Sequence, residues 1–395
     1  MSGAAYVVKL DTTFAGEAAE MLAQRVQAQP EVEYAEPDYL LHRQSAPTDP
    51  LYPVQWAYRD GIGAARFQTA WETTTGPSGI VIAVADTGYR PHPDLVANLL
   101  PGYDFLTNPF YANDSDGRDA DASDPGDWIT AEDSQRCDGT DQWIDNSSWH
   151  GTHVAGTIGA VANNEIGGVG GVWHARILPV RVLGKCGGPV SDFVDGLRWA
   201  AGLSVPGVPD NPHRAKIVNV SLGTSLPCSR MMQAAVDDVL AQGVSVVAAA
   251  GNGWGEVGQP ASCRGAIAVA AIDAKGNKWA ASNAGRRIDL GAPGVDILST
   301  ANAGRTVPTQ DNYASHDGSS MAAPHVSAAI ALMLAVEPKL TPAGIRKKLM
   351  ASARPYPDDS NCSKTTGTAL CGAGMLDAAA AVAAARTTTA ETAIE

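Results

Sequence analysis

Four short apolar runs, each leading toward a helical pattern, constrain this chain most. Residues Ile80-Val81-Ile82-Ala83-Val84-Ala85 carry no polar interruption, and 175–183, 216–221 and 244–250 read as strands of the same kind. A strand with one wet face alternates polar and apolar residues; one covered on both faces need not. Helical stretches follow at 190–201, 229–242 and 324–335, and Thr341-Pro342 offers an N-cap and a first helical residue for another. This alternation predicts an α/β fold, a mostly parallel central sheet with helices on both faces. Such sheets carry their sites at the carboxyl ends of the strands. Asp86 ends one run, Ser221-Leu222-Gly223 another, and Asn252 follows a third, so all three are expected along one edge.

Residues Gly318-Ser319-Ser320-Met321-Ala322-Ala323-Pro324-His325 set a serine at the start of an alanine-rich helix. A serine hydroxyl attacks poorly until structure activates it, and a helix N-terminus supplies a favourable dipole and unpaired N–H groups. Pro324, read as lying in the first turn, leaves no bond unmade there. Upstream stand Asp86-Thr87-Gly88, then His150-Gly151-Thr152-His153, then Ala250-Gly251-Asn252-Gly253. The chain order Asp, His, Asn, Ser and these motifs resemble the subtilisin-type serine proteases over about residues 46–385. The resemblance implies a nucleophile at Ser320, with Ser319 where the family usually has threonine. It implies His150 as general base, Asp86 as its orienting carboxylate, and Asn252 with the Ser320 N–H as oxyanion donors. Ser319 is the rival nucleophile. His153, one turn after His150, reads as a packed core histidine; as metal ligands the pair lacks the glutamate of an HExxH site.

The resemblance also implies a peptide-binding cleft. Ser221, Leu222 and Gly223 on one side and residues 185–188, with Gly187 and Gly188, on the other form edges for an extended substrate. Gly251 permits close approach, and Gly258 floors an open pocket suited to a large apolar residue before the scissile bond.

The net charge of −14 argues against nucleic acid as a partner. Residues 113–145 hold eleven acidic side chains against Arg118 and Arg136, so this segment alone carries −9. Carboxylates alternating with small residues suit calcium, which takes six to eight oxygens. The candidate set is Asp114, Asp116, Arg118, Asp119, Asp121 and Asp127; a solvated acidic loop is the alternative. By resemblance a second calcium site takes the Asp94 and Asn164 side chains and the Ile166 and Gly168 carbonyls, with Asp49 completing the shell.

Six cysteines without metal spacing suggest disulfides and an oxidising compartment, against an alternative of reduced, buried thiols. Of the 15 possible pairings, neighbours in sequence are expected: Cys137–Cys186, Cys228–Cys263 and Cys362–Cys371. No apolar run reaches the roughly 18–20 residues that span a bilayer, and the start shows no leader pattern.

Residues 1–45 read as strand 5–10, helix 16–28 and strand 32–41, a small α+β unit that resembles the C-terminal part of an inhibitory pro-segment; an accessory subdomain is the alternative. Residues 46–385 are the expected catalytic domain and 386–395 a polar tail. The expected protein is a secreted, monomeric, calcium-stabilised endopeptidase acting on proteins or peptides, inhibited by its own pro-segment and bound to neither nucleic acid nor membrane. Two rivals stand: an inactive homologue that acts by binding, and a metal-dependent hydrolase using His150 and His153.

Overall fold

The computed structural model describes residues 7–10, 17–37, 46–77, 79–140, 142–362 and 371–386. Contacts divide the chain into two units, Met1–Ser45 and Ala46–Glu395. In the first, helix α1 (Glu17–Gln27) forms where expected, with Ala19, Leu22 and Ala23 half-buried. The two expected strands do not form over 7–10 or 32–37, and their remaining residues lie outside the described residues. Val7, Val8 and Tyr34 are exposed, and so short a unit has little core of its own to order strands.

The second unit is built on seven parallel strands: β1 (Val81–Asp86), β2 (Tyr103–Asp104), β3 (Arg176–Arg181), β4 (Ile217–Val220), β5 (Ser245–Ala249), β6 (Ile267–Ile272) and β7 (Leu290–Pro293). Their order is β2-β3-β1-β4-β5-β6-β7, and a separate antiparallel hairpin joins β8 (Ile297–Asn302) to β9 (Asp311–His316). The helices are α2 (Phe67–Trp71), α3 (Pro109–Ala112), α4 (Ala131–Cys137), α5 (His150–Gly159), α6 (Val190–Ala200), α7 (Arg230–Ala241), α8 (Ser319–Val336), α9 (Pro342–Ser352) and α10 (Ala378–Arg386). β1 pairs with β3 and β4, and β4 with β5, so the three strands whose ends carry Asp86, Ser221 and Asn252 are adjacent.

The apolar runs are explained by burial on both faces. Ile82 and Val84 pack with α5 and α8, while Ala83 and Ala85 pack with α6 and α7. α8 corrects two expectations. Its 18 residues are long and apolar enough to cross a membrane, the one such helix among the described residues, but 83% of it is buried inside the protein, as in a core helix. Pro324 lies six residues in rather than in the first turn, so it removes the N–H that would bond to the Ser320 carbonyl. α10 runs through Arg386, one residue into the expected tail; the rest lies outside the described residues.

The three expected disulfides form, with Cα–Cα distances of 5.7, 5.1 and 5.6 Å. The acidic segment meets cations distant in sequence, which sequence reasoning had not counted. Buried Arg181 pairs with Asp104 and Asp114, and Lys185 with Asp133 at 3.0 Å. Asp114 and Asp133 are thereby paired within the protein itself.

Candidate active site

The carboxyl edge of the sheet and the starts of α5 and α8 meet in one cleft of about 680 Å³, lined among others by His150, Ser221, Asn252, Gly258 and Ser320. Asp86, fully buried at the end of β1, accepts from the Thr87 N–H at 2.8 Å and from His150 Nδ1 at 2.7 Å. That bond sets the tautomer: Nδ1 carries its proton toward Asp86 and Nε2 is left to act as base. Burial disfavours the imidazolium, but the Asp86 charge and hydrogen bond, then Asp127 and Asp124, outweigh it and hold the His150 pKa above the ordinary histidine value.

Nothing in the sequence marks the start of α5 as capped. Trp149, at φ 50°, is the turn residue, and its buried indole donates to the Gly304 carbonyl at 2.7 Å. The acidic segment also supports this helix. The Thr87 hydroxyl accepts from Gly151 N–H (3.0 Å) and donates to buried Asp124 (2.7 Å). Ser148 donates to Asp127 through its N–H (2.6 Å) and hydroxyl (2.7 Å), and its oxygen accepts from the His150 N–H (3.3 Å).

Ser320 is the second residue of α8, where a backbone N–H has no intrahelical acceptor. Its hydroxyl donates to the Ser221 carbonyl at 2.9 Å, so it shares the cleft with His150 but is turned to the β4 edge. In return Ser221 Oγ donates to the Ser320 carbonyl at 2.7 Å, filling the place that Pro324 vacates. Asn219 Nδ2 donates to Ser221 Oγ (2.9 Å) and Ser327 donates to Asn219 Oδ1 (2.8 Å), all buried. Asn252 Oδ1 accepts from both the N–H (3.0 Å) and the hydroxyl (2.8 Å) of Ser319. The amide nitrogen is thereby fixed on the side of Gly318 and Ser320. Ser319 is thus engaged as a support, and it was the rival nucleophile.

Leu222, Gly223, Gly187 and Gly188, the predicted substrate edges, all line this cleft. At Gly258 a Cβ would meet the Thr224 carbonyl at 1.6 Å, so the floor accepts no side chain. His153 is buried in the core, with Nε2 at 2.9 Å from the Ile297 carbonyl and its ring stacked on His316.

Among the described residues no three histidines, cysteines or carboxylates gather as a metal group would. Asp94 and Asn164 do meet: Asn164 Nδ2 donates to Asp94 at 2.7 Å, with Gly168 N–H and the Tyr313 hydroxyl each at 3.1 Å. Asp49 accepts from the N–H groups of Asn163 and Asn164 beside them. Burial pushes the Asp94 pKa up to about 6. Asp116, Asp119 and Asp121 line a turn-rich loop, where Asp119 and Asp121 accept from backbone two residues on. The Arg118 guanidinium is turned to Asp192 and Asp195.

An imidazole oriented by a buried carboxylate, a serine at a helix N-terminus and an anchored amide donor make the constellation of an α/β serine hydrolase. The chain belongs to the subtilase family, whose model matches residues 77–374. It is 44% identical to an extracellular protease of Xanthomonas campestris pv. campestris, over 96% of this chain and 64% of that protein. It is 39% identical to an extracellular basic protease of Dichelobacter nodosus, over 92% of this chain and 60% of that one. The chain therefore spans less than two thirds of each of these relatives. A solved protease structure from Pseudoalteromonas arctica covers 86% of this chain, and all of its own, at a TM-score of 0.81 and 46% identity.

Proposed function

We propose that this chain is the catalytic part of a secreted serine endopeptidase. The observation that carries the reading is the 2.7 Å Asp86–His150 bond in the same cleft as Ser320 and Asn252. Ser320 Oγ rotates from the Ser221 carbonyl toward His150, loses its proton to Nε2, and attacks the scissile carbonyl carbon. The oxyanion forms between the Asn252 amide and the Ser320 N–H. His150 then gives the proton to the departing amine, leaving an acyl-enzyme, and a water activated by the same imidazole releases the acid. Substrate lies extended between residues 221–223 and 187–188, with a large apolar side chain above Gly258 and Gly251 close to its backbone. Both extracellular relatives support secretion. Comparing Ser320→Ala with Ser319→Ala tests the reading: the first should abolish peptide hydrolysis and the second only reduce it. Normal turnover by Ser320→Ala would overturn it.

Calcium is proposed as a stabilising ion. Asp49, Asp94 and Asn164 with the Ile166 and Gly168 carbonyls are hard oxygen donors of the right kind, and a cation there would keep buried Asp94 ionised. Asp114, Asp116, Asp119 and Asp121 with the Arg118 carbonyl form a second candidate set. We leave Asp127 out of it, because it lines the catalytic cleft, where it braces Ser148. Residues 1–45 are proposed as the remnant of an inhibitory pro-segment, and the catalytic unit as a monomer.

A further inference from the structure

A second cavity, of about 220 Å³, adjoins the catalytic cleft and shares with it Thr87, Asp127, Ser148, Leu183, Cys186 and Gly187. Its outer walls are Ile129, Trp143 and Asp145 from the acidic segment and Asn146 just after it. Those walls are fixed. Ile129 and Asp145 exchange backbone hydrogen bonds of 2.9 and 3.0 Å, and the opposite wall is tethered by the Cys137–Cys186 disulfide and the Lys185–Asp133 pair.

The lining is amphipathic. Buried Ile129, half-buried Leu183 and the half-exposed Trp143 ring offer apolar sides, while Asp127 and Asp145 supply two carboxylates and no lining residue is a cation. Of the neighbouring cations, Lys185 is engaged with Asp133, while Arg305 meets the outer wall from behind at the Asn146 side chain, at 3.3 Å, and does not line the cavity. Each Asp127 oxygen accepts one bond from Ser148, which leaves lone pairs for a further donor. An aliphatic stem with a cationic head matches such a surface, and an indole face adds to the attraction. A neutral side chain would cover carboxylates without pairing them, and an acidic one would be repelled.

The geometry points to this cavity as a side pocket that takes one lysine or arginine side chain of the bound peptide. This rests on the peptidase reading above and adds to it a second specificity, set by the acidic segment rather than by the Gly258 pocket. The test uses the active chain and a series of fluorogenic peptides with phenylalanine before the scissile bond. Every other position is varied among lysine, arginine, norleucine and glutamate. At one position lysine and arginine should exceed norleucine in kcat/KM by about five-fold at low salt, the size of one or two partly exposed ion pairs. That ratio should shrink in 1 M salt. Asp145→Asn should reduce it by lowering the lysine and arginine rates, and Trp143→Ala should lower the lysine, arginine and norleucine rates together, because all three stems pack on the indole. Cleavage of the norleucine peptides without a basic preference at any position overturns the proposal, as does a preference that Asp145→Asn leaves undiminished. Failure to cleave any peptide removes the peptidase reading itself, and the pocket's role with it.

Discussion

Replacing Ser221 by alanine should test how the nucleophile is held. The Ser221 hydroxyl donates to the Ser320 carbonyl at 2.7 Å and accepts from Asn219 at 2.9 Å, within a buried chain that ends at Ser327. Pro324 offers that carbonyl no N–H, so alanine at 221 leaves a part-buried carbonyl and a buried amide unpaired. At ~1–3 kcal/mol for each orphaned group, the cost is ~2–6 kcal/mol. The first turn of α8 should relax to recover bonds, and shifts approaching 1 Å in Ser320 cost up to ~10²-fold in rate. We expect kcat to fall more than ten-fold, roughly the lower part of that range, with KM changed little. Rates should be normalised to sites titrated with a phosphonate, so that loss of folded protein is not counted as loss of catalysis. The decisive comparison is a double-mutant cycle with Pro324→Ala, which returns an N–H to the Ser320 carbonyl. In that background Ser221→Ala should be milder by about 1 kcal/mol or more in stability. Additive effects, or an unchanged kcat in the single variant, would refute the reasoning.

Asn252→Ala should lower kcat by about 10²- to 10³-fold with little change in KM; that magnitude is the one already known for such a donor in subtilisin and was not worked out from this structure. The base must be neutral, so kcat/KM should fall as pH drops through the His150 pKa, which the Asp86, Asp127 and Asp124 charges hold above the ordinary histidine value. Asp127→Asn should move that acid limb to lower pH, and a limb that moves up or stays would contradict the assignment. Burial raises the folded Asp94 pKa from 3.8 to about 6, so without a cation the site's contribution to stability is fullest below about pH 4 and is lost as pH rises through 6. The calcium-induced gain in thermal midpoint should therefore be larger at pH 8 than at pH 5, and Asp94→Asn should erase the difference. On incubation the wild type should lose about 45 residues by a cut between Leu41 and Asp49, seen by mass spectrometry, while Ser320→Ala stays whole; if both stay whole and the wild type is fully active, residues 1–45 are an accessory unit.

The sheet was readable because β1, β3, β4 and β5 are covered on both faces, which writes burial into largely apolar runs, broken only by residues such as Arg181 and Asn219. The proposed catalytic residues were picked out by motif order and by their place after those runs. What holds them was not. Asn219, Ser221 Oγ and Ser327 form their chain across 108 residues, and only the folded helix shows that Pro324 has left a carbonyl to fill. Asn283, which donates to the Ala250 carbonyl and accepts from Gly253 and Gly255 to brace the Asn252 loop, carried no sequence signal at all. The pairing of the acidic segment with Arg181 and Lys185 was not legible, because those cations lie on a different strand and turn, far along the chain. The segment's structural work against Thr87 and Ser148 was invisible for the same reason.

The central claim is that Ser320 alone is the activated nucleophile. The direct measurement is labelling with a fluorophosphonate, followed by peptide mapping of the modified residue. The account predicts one phosphonyl group per molecule on Ser320, loss of peptidase activity in proportion to labelling, and no label on Ser320→Ala. Modification at Ser319 instead, or full labelling of Ser320 with activity retained, would contradict it.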